Sequence, residues 1–387
     1  MTFKHRLFLS ILFVIVNAIL FWKLGVSVDA DTERFLSYAE EIKESGIFFK
    51  PHDFWYIAYP LFIILMTSVH DSLGMVVIGQ VALSYVALMS LYGSGRRLYG
   101  NPQAGLVSGL LFLGFLMISF WNFWIYCESL LISLNCLSIF YLIKWVKGEG
   151  NLGNYIVGTL VIIAAFFTKP TGIALLAGIG LMIFYWYWKE FSDKALKYGL
   201  LTVFFIGFVL LLNHMLSTFT FVRDYQIGEL IYNAHTLPNQ PYTKYLMISL
   251  PEALYIPPSD WQPLVQFIAI ILGNPLYSLK LFGAKLFYYV FYVRPYYSIL
   301  HNLLALVVLI PVYVGFIKAF IKDQIPGSIK LLVLGFTGVS VLSSTLLTVD
   351  WNSRFLVAVL PIIFLISSER LGLNLIKFKK LVLNFSK

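Results

Sequence analysis

Apolar residues in this chain come in long continuous runs separated by short polar joints, without the period-two alternation of half-buried strands. Several runs reach about 18 residues or more, enough for a helix to cross a bilayer. Their limits predict about ten spans. The first covers Leu7–Val26, and the next three cover Met75–Tyr92, Ala104–Phe120 and Ser129–Leu142. Two flank the turn Thr168–Gly172, one covers Leu200–Leu216, and three lie near 299–319, 330–348 and 355–368. The run from Pro60 to Val69 is too short to cross comfortably and reads as a re-entrant or interfacial segment. Between Leu264 and Val293 the run is interrupted by Asn274-Pro275, Lys280 and Lys285, which favours amphipathic interfacial helices, with two short spans as the alternative. The expected fold is an all-α polytopic membrane protein, with residues 1–387 forming one membrane-embedded domain. Its largest segments outside the bilayer are a first external loop, 27–74, and an external region, 217–298. A β-barrel is excluded, since barrel strands alternate apolar and polar over about ten residues.

Composition agrees: 59% of residues are hydrophobic, 12% are charged and the mean hydropathy is +0.81, which excludes an ordinary soluble domain. The N-terminal run follows Lys4, His5 and Arg6 and has no clear small-residue cleavage site, so it is expected to remain as the first span. Cys127 and Cys136 fall on one predicted helix roughly 13 Å apart, too far for a disulfide. The net charge of +9 raises the question of nucleic acid, but its placement answers it. With both termini inside, the inner segments hold roughly 17 Lys/Arg against 5 Asp/Glu, and the outer ones about 11 against 14. The basic excess therefore faces anionic membrane lipid, and no nucleic-acid partner is expected.

The acids gather in Val28–Pro60. Asp29, Asp31, Glu33, Glu40, Glu41, Glu44 and Asp53 are seven of the chain's 19 acidic residues. Asp31 or Thr32 can cap a helix here, Phe35, Tyr38, Ala39 and Ile42 form one apolar stripe, and Gly46 ends it. The pattern predicts a short amphipathic helix on a membrane surface with carboxylates at its start; a solvated acidic loop is the alternative. On the same side the span map places Arg34, Glu128, Lys169, Lys285, Arg294, His301 and Arg354, several at span ends, where charges are functional candidates. A carboxylate there can take a proton from an acceptor hydroxyl, and Arg and Lys can hold a phosphate as it leaves. Each has a plainer role available: Glu128 at a helix start, Lys169 snorkelling from a turn, Arg294 as an interface anchor, Arg354 paired with Asp350. No Gly-x-Ser-x-Gly, phosphate-binding glycine loop or HExxH spacing occurs.

In order along the chain, several segments resemble the GT-C superfamily of polyprenol-phosphate-sugar glycosyltransferases, family 39-like. That superfamily includes protein O-mannosyltransferases and lipid A aminoarabinose transferases. DTERFLSYAEEIKESGIF resembles the family's first external loop, with Asp31 matching its aspartate and Asp29 a second acid. YPLFIIL and RRLYGNPQAGLVSGLLF follow loosely, and IYCESLLISL resembles the second acidic site with Glu128 in place of Asp. FFTKPTGIALL resembles a Thr-Lys-Gly turn with Pro170 replacing Gly, and SRFLVAVLP, with Arg354 and Pro361, a late Arg-containing run. The resemblance implies a GT-C-like fold with external juxtamembrane amphipathic helices. It implies an inverting transferase that moves a sugar from a polyisoprenyl-phosphate donor to a glycan, lipid or protein acceptor. Asp31 would be the general base, Asp29 its assistant, and Glu128 the support of the acidic loop. Lys169, Arg294 and Arg354 would bind the donor phosphate, and Tyr296, Tyr297 and His301 would line the pocket. No metal or other cofactor is implied, although an acidic pair can hold a divalent ion. The expected location is a bacterial inner membrane, termini cytoplasmic and site external. A transporter or lipid flippase, expected to carry midplane charges and repeats, and a polysaccharide polymerase with an Arg-rich loop are the alternatives.

Overall fold

The computed structural model describes residues 2–190, 192–217, 221–322, 325–347 and 351–385, the side chains of Ala30 and of residues 374–385 excepted. The first half holds α1 (Thr2–Leu24), α2 (Ala30–Ser45), α3 (Ala58–Val69), α4 (Leu73–Tyr99), α5 (Pro102–Gly114), α6 (Met117–Phe120), α7 (Cys127–Val146) and α8 (Leu152–Phe166). The second holds α9 (Ile173–Glu190), α10 (Lys194–Leu216), α11 (Phe221–Ile227), α12 (Pro263–Gly273), α13 (Pro275–Phe291), α14 (Ile299–Lys322), α15 (Gly327–Leu346), α16 (Arg354–Val357) and α17 (Leu360–Phe385). Among the described residues β pairing is limited to two isolated bridges, Ser27 with Trp124 and Glu229 with Met247.

Local sequence explains several helix ends. Ser72, Asn101, Asn151 and Asp193 cap α4, α5, α8 and α10 with side-chain oxygens that accept backbone N–H groups. Pro102 opens α5, where its missing N–H is not needed. At α2, Thr32 N–H donates to the Asp29 carbonyl and Asp29 N–H to Thr32 Oγ1, and Gly46 closes the helix at φ 78°.

Among the described residues, seven segments are long and apolar enough to cross a membrane: α1, α4, α7, residues 170–190, α10, α14 and α15. Two bent pairs raise the number to nine if each is one span. The expected third span is one of them: it breaks by 60° between α5 and residues 117–123, with Phe115 packed against Tyr292 and Phe364. The other is α12–α13, bent by 105° at Asn274, whose side chain exchanges hydrogen bonds with the Tyr255 backbone. Two of the ten expected spans take other forms. The fifth is α8, whose 15 residues reach roughly 22 Å. The tenth is divided between the short α16 and the start of α17.

The centre is α4, packed against α7, α5 and α17. At its side α9 and α15 approach backbone to backbone: a β-carbon at Gly178 would stand 2.4 Å from the Leu332 carbonyl oxygen, and one at Gly335 would stand 2.7 Å from Gly178 Cα. Helix α10 is outermost, with no buried residue in its apolar window, as expected for a helix facing lipid. The α2 stripe does not face a membrane surface. Phe35, Tyr38, Ala39 and Ile42 are buried against α3 and the Asp53–Tyr56 turn, because those elements supply aromatic and aliphatic partners.

Buried amides tie the helices to one loop. Asn122 donates to Asn17 Oδ1 and accepts from Ser129 Oγ. Gln80 Nε2 donates to the carbonyls of Asn122 and Trp124, and its Oε1 accepts from the Tyr59 hydroxyl. Such bonds satisfy polar groups inside an apolar interior, and the Trp124 carbonyl accepts from the Tyr126 N–H as well. The network fixes residues 121–126, which then pair with the α1–α2 connection: Ser27 N–H donates to the Phe123 carbonyl and Ile125 N–H to the Ser27 carbonyl. At the opposite end of the bundle, Tyr99 and Asn101 bond Ile366 and Glu369, and Arg97 pairs with Glu149.

Candidate active site

Four charged residues from four parts of the chain meet where α2, α7, α9 and α16 begin. The Thr32 hydroxyl donates to the Ile125 carbonyl at 3.2 Å and so pins the first turn of α2 beside the 123–126 strip. This directs Asp31 to Arg354, whose guanidinium donates to Asp31 Oδ2 at 3.0 Å. Arg354 Nε lies 3.8 Å from Glu128 Oε1, and Lys169 Nζ donates to that same oxygen at 2.5 Å. Acid and base therefore alternate: Asp31, Arg354, Glu128, Lys169. Glu128 and Lys169 are 1% and 5% exposed, whereas Asp31 and Arg354 are 38% and 25% exposed. The inner pair is thus sealed and the outer pair open. Packing of aromatic faces against the cations completes the inner wall: Lys169 Nζ stands 4.3 Å from the Phe355 ring centre, and Arg354 is 5.7 Å from the rings of Tyr126 and Phe355.

The open pair faces a cavity of about 430 Å³ that Asp29 also lines. Burial, and then the nearby carboxylates of Asp31 and Asp29, push the Tyr126 hydroxyl up, so it stays protonated at neutral pH. A second, apolar groove of about 80 Å³ runs between α9, α10 and α15 and is lined by Leu212, Met215, Leu216, Leu347 and Phe355. Phe355 thus joins the groove to Lys169, and its neighbour Arg354 lines the larger cavity.

The other expected residues stand apart from this cluster. Arg294 is fully buried, and its guanidinium donates to the carbonyls of Tyr288, Val293 and Trp351. Tyr296 donates its hydroxyl to the Trp351 carbonyl and packs against the Trp351 ring at 5.4 Å. His301 stacks on Tyr292 and packs, tilted, against Tyr297 with ring centres 4.2 Å apart. None of these four lines the 430 Å³ cavity; Arg294 and Tyr296 act on it by holding the Trp351 carbonyl. Asp350, the alternative local partner of Arg354, lies outside the described residues. Lys285, also expected on this side, is buried and donates to the Leu347 carbonyl at 2.6 Å.

Sequence reasoning missed Tyr232, Asn233, Trp351 and Asn352, all of which line the cavity. A signal was present for two of them, since Trp351 and Asn352 immediately precede Ser353-Arg354. Tyr232 and Asn233 are brought in by Glu229, whose buried carboxylate accepts from the backbone N–H groups of Asn233 and His235 and pairs with the His235 ring. Among the described residues no group of three or more His, Cys, Asp or Glu is arranged to hold a metal ion.

The class is thus an all-α, polytopic membrane protein with a sealed ion pair, an open acid–arginine pair and a cavity at one end of its bundle. Residues 55–213 match the family model described as dolichyl-phosphate-mannose-protein mannosyltransferase, which supports a membrane glycosyltransferase of the GT-C superfamily. No curated protein and no solved structure matches the chain. Glu128 and Lys169 lie inside the matched segment; Asp31 and Arg354 lie on either side of it.

Proposed function

We propose that the protein transfers a sugar from a polyisoprenyl-phosphate donor to a hydroxyl acceptor, with inversion, at the end of the bundle opposite Arg97 and Asn101, which we read as external. The observation that carries this reading is the chain of ion pairs Asp31, Arg354, Glu128 and Lys169, whose outer pair lines the cavity. Asp31 is the general base. It is open to the cavity and takes the proton of the acceptor hydroxyl as the oxygen attacks the anomeric carbon. The bond between that carbon and the phosphate oxygen breaks, and the electron pair leaves with the polyisoprenyl phosphate. Arg354, flanked by Asp31 and Glu128, stabilises the negative charge that grows on this oxygen. Glu128 and Lys169 hold Arg354 in place, and Lys169 adds a second positive charge behind it. Asp29 lines the same cavity and orients the acceptor. The apolar groove ending at Phe355 suits the first isoprene units of the donor, and its position beside Lys169 supports a lipid-linked substrate.

The test is sugar release from a panel of polyprenyl-phosphate sugars by the purified protein in lipid nanodiscs, with lipid movement across vesicles measured in parallel. Turnover of one donor supports the transferase. Lipid movement with no sugar release from any donor contradicts it and identifies a flippase.

A further inference from the structure

We infer that the cavity beside Asp31 holds two sugar rings, so that the acceptor is itself a carbohydrate; this rests on the transferase reading above. The cavity, at about 430 Å³, falls within the range of about 300–1,000 Å³ typical of small-molecule sites. It has two separate aromatic walls. The first is Trp121, Trp124 and Tyr126, whose ring centres lie 5.8–6.4 Å from one another. The second is Tyr232 and Trp351, joined by the bond from Trp351 Nε1 to the Tyr232 carbonyl at 2.7 Å.

Both walls are held from behind. Gln80 fixes the carbonyls of Asn122 and Trp124, and Arg294 and Tyr296 fix that of Trp351. Aromatic rings of this kind present flat apolar faces, which match the C–H faces of a pyranose, while neighbouring amides and carboxylates serve its hydroxyls. Asp29, Asp31 and Arg354 line the same space, and Asn233 and Asn352 add amide donors and acceptors beside the second wall.

The walls also divide by origin. The first lies inside the segment matched to the mannosyltransferase family, and the second lies outside it. The donor sugar therefore takes the first wall and the acceptor sugar the second. An acceptor hydroxyl then forms its new C–O bond to the donor's anomeric carbon, its proton passes to Asp31, and the polyisoprenyl phosphate leaves with the electron pair.

The experiment uses the whole protein in nanodiscs free of sugar-headed detergent, and Tyr232, which is 47% exposed and so can be truncated without opening the core. Short oligosaccharides and Ser/Thr peptides are offered as acceptors, with saccharide binding measured by calorimetry and donor hydrolysis recorded separately. We expect a saccharide to bind and to accept sugar. Tyr232→Ala should raise its KM about fivefold to tenfold, Tyr232→Phe should restore it, and the lipid-facing Leu210→Ala should change nothing. Transfer to peptides with no saccharide bound overturns the inference and leaves the transferase standing. Saccharide binding that weakens in Tyr232→Ala, with no donor turned over, supports the sugar cavity and counts against the transferase. Neither binding nor transfer of any saccharide overturns the inference.

Discussion

Glu128 and Lys169 form a pair that is almost closed to solvent, and such a pair is held together largely by the cost of leaving either member alone. Glu128→Gln is therefore expected to destabilise the protein by about 3–5 kcal/mol, because the Lys169 ammonium then loses its only close carboxylate among the described residues. Lys169→Met should be similar in size. The double variant should be much less damaged than the sum of the two, and thermal unfolding in detergent checks this. Simple addition of the two losses would mean that the residues act independently. Arg354 lies 3.8 Å from Glu128, so Glu128→Gln should also loosen Arg354 and reduce transfer.

At the scale of elements, the loop 121–126 is fixed by Gln80 from outside and by its own Asn122. Gln80→Leu keeps the volume but leaves the Asn122 carbonyl and the Tyr59 hydroxyl without this partner, whereas the Trp124 carbonyl keeps the Tyr126 N–H. Loss of about 1–3 kcal/mol is expected for each buried group left unpaired, together with slower transfer as the first aromatic wall shifts. A Gln80→Leu protein with unchanged melting temperature and rate would show that the network is incidental. Much of this arrangement can be read in the sequence, and some cannot. The stripe Phe35, Tyr38, Ala39 and Ile42 and its stop at Gly46 follow from periodicity alone. Asp31, Glu128, Lys169 and Arg354 each flank an apolar run, so alternation of the spans places them at one end. Their pairing depends on contacts between residues 41 and 323 positions apart, which no local pattern encodes. The break after Phe115 carries no proline, and Trp351 and Tyr232 look like interface anchors until Glu229 and Arg294 place them.

For the whole molecule, the distribution of charge and the two ends of the bundle describe one orientation. Arg96, Arg97, Lys144 and Lys147 gather at one end, where Glu149 pairs with Arg97, and Asp29, Asp31, Glu33 and Glu128 gather at the other with Lys169 and Arg354. Basic segments are retained in the cytoplasm, so the carboxylate-rich end should face outward. Cys127 and Cys136 are buried, which leaves a quiet background for labelling. Glu252→Cys, in an exposed loop of the 217–298 region, should react with an impermeant maleimide on intact cells. Lys147→Cys should react only after the membrane is opened. The reverse pattern would invert the protein and place the site in the cytoplasm.

The most direct measurement of the central claim is transfer by Asp31→Asn beside wild type, with donor binding recorded on the same samples. Asparagine keeps a hydrogen-bonding partner for Arg354 but takes up no proton, so donor binding should persist while the rate falls about 10²–10⁴-fold. An Asp31→Asn protein that transfers sugar at the wild-type rate would contradict the account and remove Asp31 as the base.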